Sequence, residues 1–121
     1  KGNLTTASGV LDKTQYSFST RFEDGKGTNP EELVGAAHSG CFAMQLSFLL
    51  GEAGFTPDSL DVEATVSFED GNVTMITLDL KGKVPGISEE KFKEVAKNAK
   101  DVCPISKLLK AEIVLNVSLS K

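Results

Sequence analysis

The amino-acid sequence predicts an α+β fold for the 121-residue chain, with an antiparallel sheet packed on a long buried helix. Two segments, residues 8–22 and 60–83, alternate apolar and polar side chains around turn residues, as β-hairpins do. Between them, residues 33–50 are apolar or small almost throughout, which indicates a helix buried on every side. The predicted order is strand-strand-helix-strand-strand-helix-helix-strand, which is typical of an α+β domain.

The first hairpin is predicted to pair residues 10–11 with a strand over residues 16–21. Tyr16 and Phe18 alternate with polar residues there, so Arg21 is expected to point away from their face. Arg21 is the only arginine among the 13 basic residues of the chain. A planar guanidinium can hold an anion in two directions, so this position is a candidate for such a role. The alternative is a solvated surface residue.

The central helix has a well-defined predicted start at Asn29-Pro30-Glu31-Glu32, where Asn caps the helix, Pro suits its first position and the acids suit its first turn. Gly51 and Gly54 are expected to end it. A chain of 121 residues offers little material to surround such an apolar helix. We therefore expect a homodimer in which a partner subunit covers it.

The second half predicts a hairpin, two helices and a last strand. Asp70-Gly71-Asn72 supplies the hairpin turn. Ser88 caps an amphipathic helix that runs to about Lys100. Cys103 precedes Pro104 at the start of a short third helix, and residues 112–120 alternate as the final strand.

Length and composition exclude several classes of protein. A chain of this length predicts a single domain over residues 1–121. Its net charge of -4, without a basic block, argues against nucleic-acid binding. No apolar run approaches the ~20 residues of a membrane helix, and the first residues do not resemble a signal peptide. Two cysteines and one histidine favour a cytoplasmic protein without a zinc site.

Four residues are candidates for chemistry: Cys41, Cys103, Arg21 and Glu31. Cys41 lies in the middle of the apolar helix, and Cys103 lies where a helix start favours a thiolate. Each cysteine is alternatively an inert residue, Cys41 as a small core side chain and Cys103 in a loop. Glu31 is alternatively only a helix starter. His38 lies three residues before Cys41 on the same helix face, but no third member of an acyl-transfer site accompanies the pair.

These residues lie in segments that closely resemble the OsmC/Ohr family of osmotically inducible and organic-hydroperoxide-resistance proteins, with the OsmC branch nearer. The similar segments are TRFE from Thr20, GTNPEELVGAAHSGCF from Gly27, LLGEAGFTP from Leu49 and CPISKLLKAEI from Cys103. The resemblance implies an OsmC-like fold, an intertwined homodimer and a peroxidase that acts on organic hydroperoxides and less well on hydrogen peroxide. Members usually carry another strand ahead of the segment that begins at Lys1, so we expect a truncated start.

Carried over by position, the resemblance makes Cys41 the peroxidatic cysteine, Cys103 the resolving cysteine, and Arg21 and Glu31 the polar pair that activates the thiolate. It implies stress defence, no bound cofactor, and a thiol reductant, which in the Ohr branch is a lipoylated protein. A buried Cys41 needs a fixed cation, because burial raises a thiol pKa. Glu31 and Cys41 lie ten residues apart in one helix, so about 15 Å along its axis. Unless the helix breaks, the two side chains cannot touch within one chain, so we expect Glu31, and Arg21 with it, to serve the partner subunit's site.

Two other functions fit the sequence. The first is a redox sensor or small-molecule-binding dimer of the same fold, whose cysteines signal or are idle. The second is a purely structural α+β dimer, in which replacing Cys41 changes no peroxide chemistry.

Overall fold

The computed structural model describes residues 2–17 and 27–120. Their contacts group into two compact units, residues 1–34 and 35–121. A single domain over the whole chain stays a prediction.

The first unit contains a small antiparallel hairpin, which differs from the predicted one. Strand β1 is Gly2–Leu4 and strand β2 is Thr14–Tyr16, with Gly2 opposite Tyr16. The predicted first strand at residues 10–11 was wrong. Those residues lie in the loop, where the backbone N–H of Thr6 donates to the carbonyl of Leu11 at 2.8 Å. The predicted positions 18–21 of the second strand lie outside the described residues.

Helix α1, Pro30–Glu52, starts where the sequence predicted. The side-chain oxygen of Asn29 accepts from the backbone N–H of Glu32 at 2.8 Å, which satisfies one of the free donors of the first turn. In the single chain one stripe of α1 is buried and the opposite face is open, so burial on every side, which the sequence analysis expects a partner subunit to complete, stays a prediction. The buried stripe consists of Gly35, His38, Phe42, Leu46 and Leu50.

By length and mean hydropathy alone, α1 also passes as a helix that could cross a membrane. The expectation that no segment is long and apolar enough was therefore wrong. This observation is weak support for a membrane span, because core helices of globular proteins pass the same test.

The second unit is built on a three-stranded sheet of order β3-β4-β5. Strand β3, Ser59–Glu69, and strand β4, Asn72–Lys83, form the predicted hairpin, in which Asp70 and Gly71 adopt positive φ angles of 49° and 79°. Strand β5, Glu112–Ser120, pairs with β4 in parallel. The predicted antiparallel sheet is thus correct for β3 and β4 and wrong for β5. A crossover through two helices separates β4 from β5, and such connections allow parallel pairing.

One face of this sheet carries the core. Ile76, Leu78 and Leu80 of β4 are fully or almost fully buried. Helix α2, Glu89–Val102, is capped by Ser88 as predicted and packs Phe92, Val95, Ala96 and Ala99 inward. Gly82 permits this close packing, because a Cβ atom there would lie 2.4 Å from the Phe92 ring. Helix α3, Pro104–Leu108, follows directly.

Candidate functional site

The two cysteines meet where α1 passes the junction of α2 and α3. The Sγ atoms of Cys41 and Cys103 are 3.0 Å apart, and both thiols are free. A disulfide needs about 2.05 Å, so a movement of roughly 1 Å joins the sulfurs. The fold therefore brings together two residues that are distant in sequence, in a position to exchange a proton or to form a disulfide.

Cys103 is fixed by the backbone on both sides. It ends α2, where its N–H donates to the carbonyl of Ala99 at 3.0 Å, and it begins α3, where its carbonyl accepts from the N–H of Lys107 at 3.1 Å. It also extends the apolar stripe of α2, and its exposure is 0%. Cys41 is only half-buried, on the flank of α1. Of the two sulfurs, Cys41 is therefore the more accessible from outside.

The surroundings raise the pKa of Cys41. Burial is the largest cause, because it penalises the charged thiolate, and the hydrogen bond and charge of Cys103 act in the same direction. The backbone N–H of Ile105 opposes them by donating to the sulfur. A thiolate at Cys41 therefore needs a further source of positive potential.

The pKa of Cys103 moves the other way. Burial raises it, but the hydrogen bond with Cys41 and the bonds from the backbone and side chain of Ser106 and the backbone of Ile105 together lower it. In the neutral pair the Cys103 thiol donates to the sulfur of Cys41. The lowered pKa of Cys103 belongs to the ionised pair, in which the Cys103 thiolate accepts from the Cys41 thiol.

His38 does not pair with Cys41, although it lies one turn before it. Its Nε2 atom lies 2.7 Å from the hydroxyl oxygen of Ser106, and the ring is completely buried. Burial lowers the pKa of His38, which favours the neutral ring. The structure thus gives this histidine a hydrogen-bond role beside the cysteines.

Of the other two predicted site residues, the structure describes only Glu31. Glu31 lies in the first turn of α1 and is half-buried. Arg21 lies outside the described residues. Within residues 2–17 and 27–120, no three His, Cys, Asp or Glu side chains are arranged to hold a metal ion.

Sequence reasoning missed the contribution of Ser106 and of the Ile105 N–H. A signal was present, because Ser106 follows Cys103 by the same three-residue spacing that separates His38 from Cys41. Only the packing of α3 on α1 shows that the two pairs meet.

The fold and the site define the protein as an α+β protein with a paired-thiol site. A model described as OsmC-like protein matches residues 23–118. The peroxiredoxin OsmC of Escherichia coli is 51% identical over 98% of this chain and 86% of its own length. The organic hydroperoxide resistance protein OhrB of Bacillus subtilis is 30% identical over 98% of this chain and 88% of its own. The chain belongs to the OsmC-like protein family.

A solved structure agrees with this assignment. The crystal structure of OhrB from Bacillus subtilis matches with a TM-score of 0.69 at 27% identity, over 96% of this chain and 87% of that one. The predicted OsmC-like α+β fold is thereby confirmed.

Proposed function

We propose that this protein is a cysteine-dependent peroxidase that reduces organic hydroperoxides to alcohols, and hydrogen peroxide less efficiently, in defence against oxidative and osmotic stress. The observation that carries the proposal is the 3.0 Å separation of two free thiols. The names of the relatives, a peroxiredoxin and a hydroperoxide resistance protein, support the same activity.

Cys41 is the peroxidatic residue in this proposal, because it is the more accessible sulfur. Its thiolate attacks the distal oxygen of the peroxide, the O–O bond breaks, and the alkoxide takes up the proton that the thiol released. The products are an alcohol and a sulfenic acid on Cys41.

Cys103 is the resolving residue. Its sulfur attacks the sulfur of the Cys41 sulfenic acid, an S–S bond forms, and the hydroxide leaves as water with the thiol proton of Cys103. An external dithiol then reduces the disulfide by exchange and becomes oxidised itself. We propose a thiol reductant, such as a dihydrolipoyl protein, and no bound cofactor.

Arg21 and Glu31 complete the proposed site. The raised pKa of Cys41 calls for a cation, and a guanidinium can bridge a thiolate and a carboxylate at once. Glu31 is half-buried in the first turn of α1, as a residue that orients this guanidinium needs to be. We propose that both residues act on the Cys41 of the partner subunit. Isolated monomers with full peroxidase activity would contradict this arrangement.

The proposed homodimer explains the open face of α1. Met44 and Phe48, one turn apart, are 76% and 61% exposed in the single chain. A second copy that covers them removes apolar surface from water. We expect Phe48→Asp to yield monomers in sedimentation or scattering measurements. Val10→Asp, at an exposed loop residue of the first hairpin, is the control that leaves the oligomeric state unchanged.

The decisive experiment is multiple turnover. Purified protein is mixed with a dithiol reductant and cumene or tert-butyl hydroperoxide, and loss of peroxide is followed in time. A peroxidase consumes many equivalents per chain, whereas a redox sensor oxidises once and stops, and a structural dimer consumes none. The low number of cysteines fits a cytoplasmic site of action, which is part of the proposal.

A further inference from the structure

Helix α3 cannot hold its position by itself. It has five residues, Pro104–Leu108, none of them is buried, and its N-cap residue Cys103 makes no side-chain capping bond. A helix this short is unstable alone, because the entropy lost in forming its first turn exceeds what one turn of hydrogen bonds returns. The place of Cys103 beside α1 therefore depends on what secures α3 to the rest of the second unit.

Two side-chain hydrogen bonds between described residues join α1 to α3 and its cap. In one, the thiol of Cys103 donates to the sulfur of Cys41 at 3.0 Å. The other joins Nε2 of His38 to the hydroxyl oxygen of Ser106 at 2.7 Å. The three-residue step from His38 to Cys41 along α1 matches the step from Cys103 to Ser106. The two bonds therefore connect the same two segments side by side.

His38 is the fixed side of the second bond. Its ring is completely buried, on the inner stripe of α1. Its other ring nitrogen, Nδ1, is buried and has no partner among the described residues. A buried polar group that loses its hydrogen bond costs free energy, so separating the ring from Ser106 is unfavourable. This cost keeps α3 against α1.

We propose that His38 is a positioning residue for disulfide formation: its bond to Ser106 holds α3 against α1 and keeps the sulfur of Cys103 within reach of Cys41. The cysteine contact cannot serve this purpose throughout, because it changes when Cys41 is oxidised. His38 and Ser106 undergo no chemical change in that step, so their bond persists. The role during peroxide reduction rests on the proposed function, whereas the positioning of the two sulfurs rests on the geometry.

The consequence concerns the order of α3 before the sulfurs join. With the bond in place, α3 is already held when the disulfide forms. Without it, disulfide formation must also order α3, and the lost conformational freedom counts against the disulfide. Removal of the bond should therefore shift the equilibrium towards the two free thiols, even in a protein that stays folded.

The experiment measures the equilibrium between the Cys41–Cys103 disulfide and a glutathione buffer, by mass spectrometry after acid quenching and alkylation. Each protein disulfide that forms converts one oxidised glutathione to two glutathione thiols. In His38→Gln the amide reaches about as far as Nε2 and can bond to Ser106, whereas in His38→Asn the amide is too short. We expect the Gln variant to keep the parent equilibrium constant and the Asn variant to lower it about tenfold, as loss of one hydrogen bond does.

A second pair of variants changes the other side of the contact. Ser106→Thr keeps a hydroxyl and should retain the parent equilibrium constant, whereas Ser106→Ala should lower it about tenfold. In the double variant of His38→Asn with Ser106→Ala, the loss should stay about tenfold and not grow to about a hundredfold, because both substitutions remove the same bond.

Native-state hydrogen exchange reports on α3 directly. The N–H groups of Lys107 and Leu109 bond to the carbonyls of Cys103 and Ile105. We expect both to exchange about tenfold faster in the Asn variant of His38 than in the Gln variant, because α3 opens locally more often. The N–H of Phe92 in α2 is the control and should exchange at the same rate in both.

Equal equilibrium constants in the Gln and Asn variants, or a hundredfold loss in the double variant, would overturn the proposal and leave the contact as packing only. If a His38 variant does not fold, the Ser106 pair decides, and an unchanged equilibrium constant in Ser106→Ala overturns the proposal. No peroxide is used. A protein that fails to reduce peroxides would refute the proposed function and leave this result standing.

Discussion

The two cysteines share a hydrogen bond but differ in burial and in the direction of their pKa shifts. Cys41 lies on the flank of a helix, half-buried, with its pKa raised by burial and by Cys103. Cys103 is fully buried between two helices, yet the donors around it lower its pKa. Burial alone therefore does not set the acidity of a thiol. At Cys103 burial raises the pKa, but the hydrogen bonds with Cys41, Ser106 and Ile105 together lower it by more.

The sharpest test of this difference is to remove the accessible sulfur. Cys41→Ser is expected to abolish peroxide consumption completely, because the buried Cys103 cannot reach the substrate in its place. Peroxide loss in the presence of a dithiol measures it. Turnover by the variant above the rate of the reductant alone would show that the roles of the two cysteines are reversed.

Removing the buried sulfur has a different consequence. Cys103→Ser is expected to consume about one equivalent of peroxide per chain and then stall, with sulfinic acid accumulating on Cys41 because nothing condenses with the sulfenic acid. Mass spectrometry after graded peroxide additions measures this. Sustained turnover at the unaltered rate with a large dithiol would contradict the resolving role.

The position of Cys103 depends on how closely α2 approaches the sheet. Gly82→Ala places a Cβ atom 2.4 Å from the Phe92 ring, so α2 must shift. We expect it to lower the free energy of unfolding by about 1–3 kcal/mol, as overpacking does, and to slow disulfide formation. Gly51→Ala, which meets nothing within 4 Å, is the control and should not destabilise the fold. Equal unfolding midpoints in denaturant for the two variants would contradict the packing argument.

The smallest expected effect is on the pH dependence of the first step. Cys103 raises the pKa of Cys41, so Cys103→Ala should lower it. The rate of sulfenic acid formation then reaches half its maximum at a lower pH than in the parent protein, by a fraction of one unit up to about one unit. Single-turnover kinetics against pH measures the midpoint. An unchanged or higher midpoint would mean that Cys103 does not raise the pKa of Cys41.

Local patterns predicted most elements well. The β3–β4 hairpin, the Asn29 and Ser88 caps and the Cys103-Pro104 helix start are all confirmed, because turn chemistry and capping act over a few neighbouring residues. The prediction of the first hairpin was wrong because it relied on Val10 and Leu11, and two apolar residues are too few to identify a strand. The parallel pairing of β5 with β4 could not be predicted from local sequence either, because the pairing of a strand depends on contacts with residues distant in sequence.

The sequence by itself determined the class of fold and the family, and it selected the two cysteines as candidates for chemistry, since periodicity, caps and motifs lie in consecutive residues. Only the tertiary structure decided that Cys41 and Cys103 lie 3.0 Å apart and that His38 contacts the hydroxyl of Ser106 beside them. Those facts depend on how α3 packs against α1. The acidity of each sulfur is therefore a property of the assembled site, because hydrogen-bond donors act over a few ångströms in space, whatever their separation along the chain.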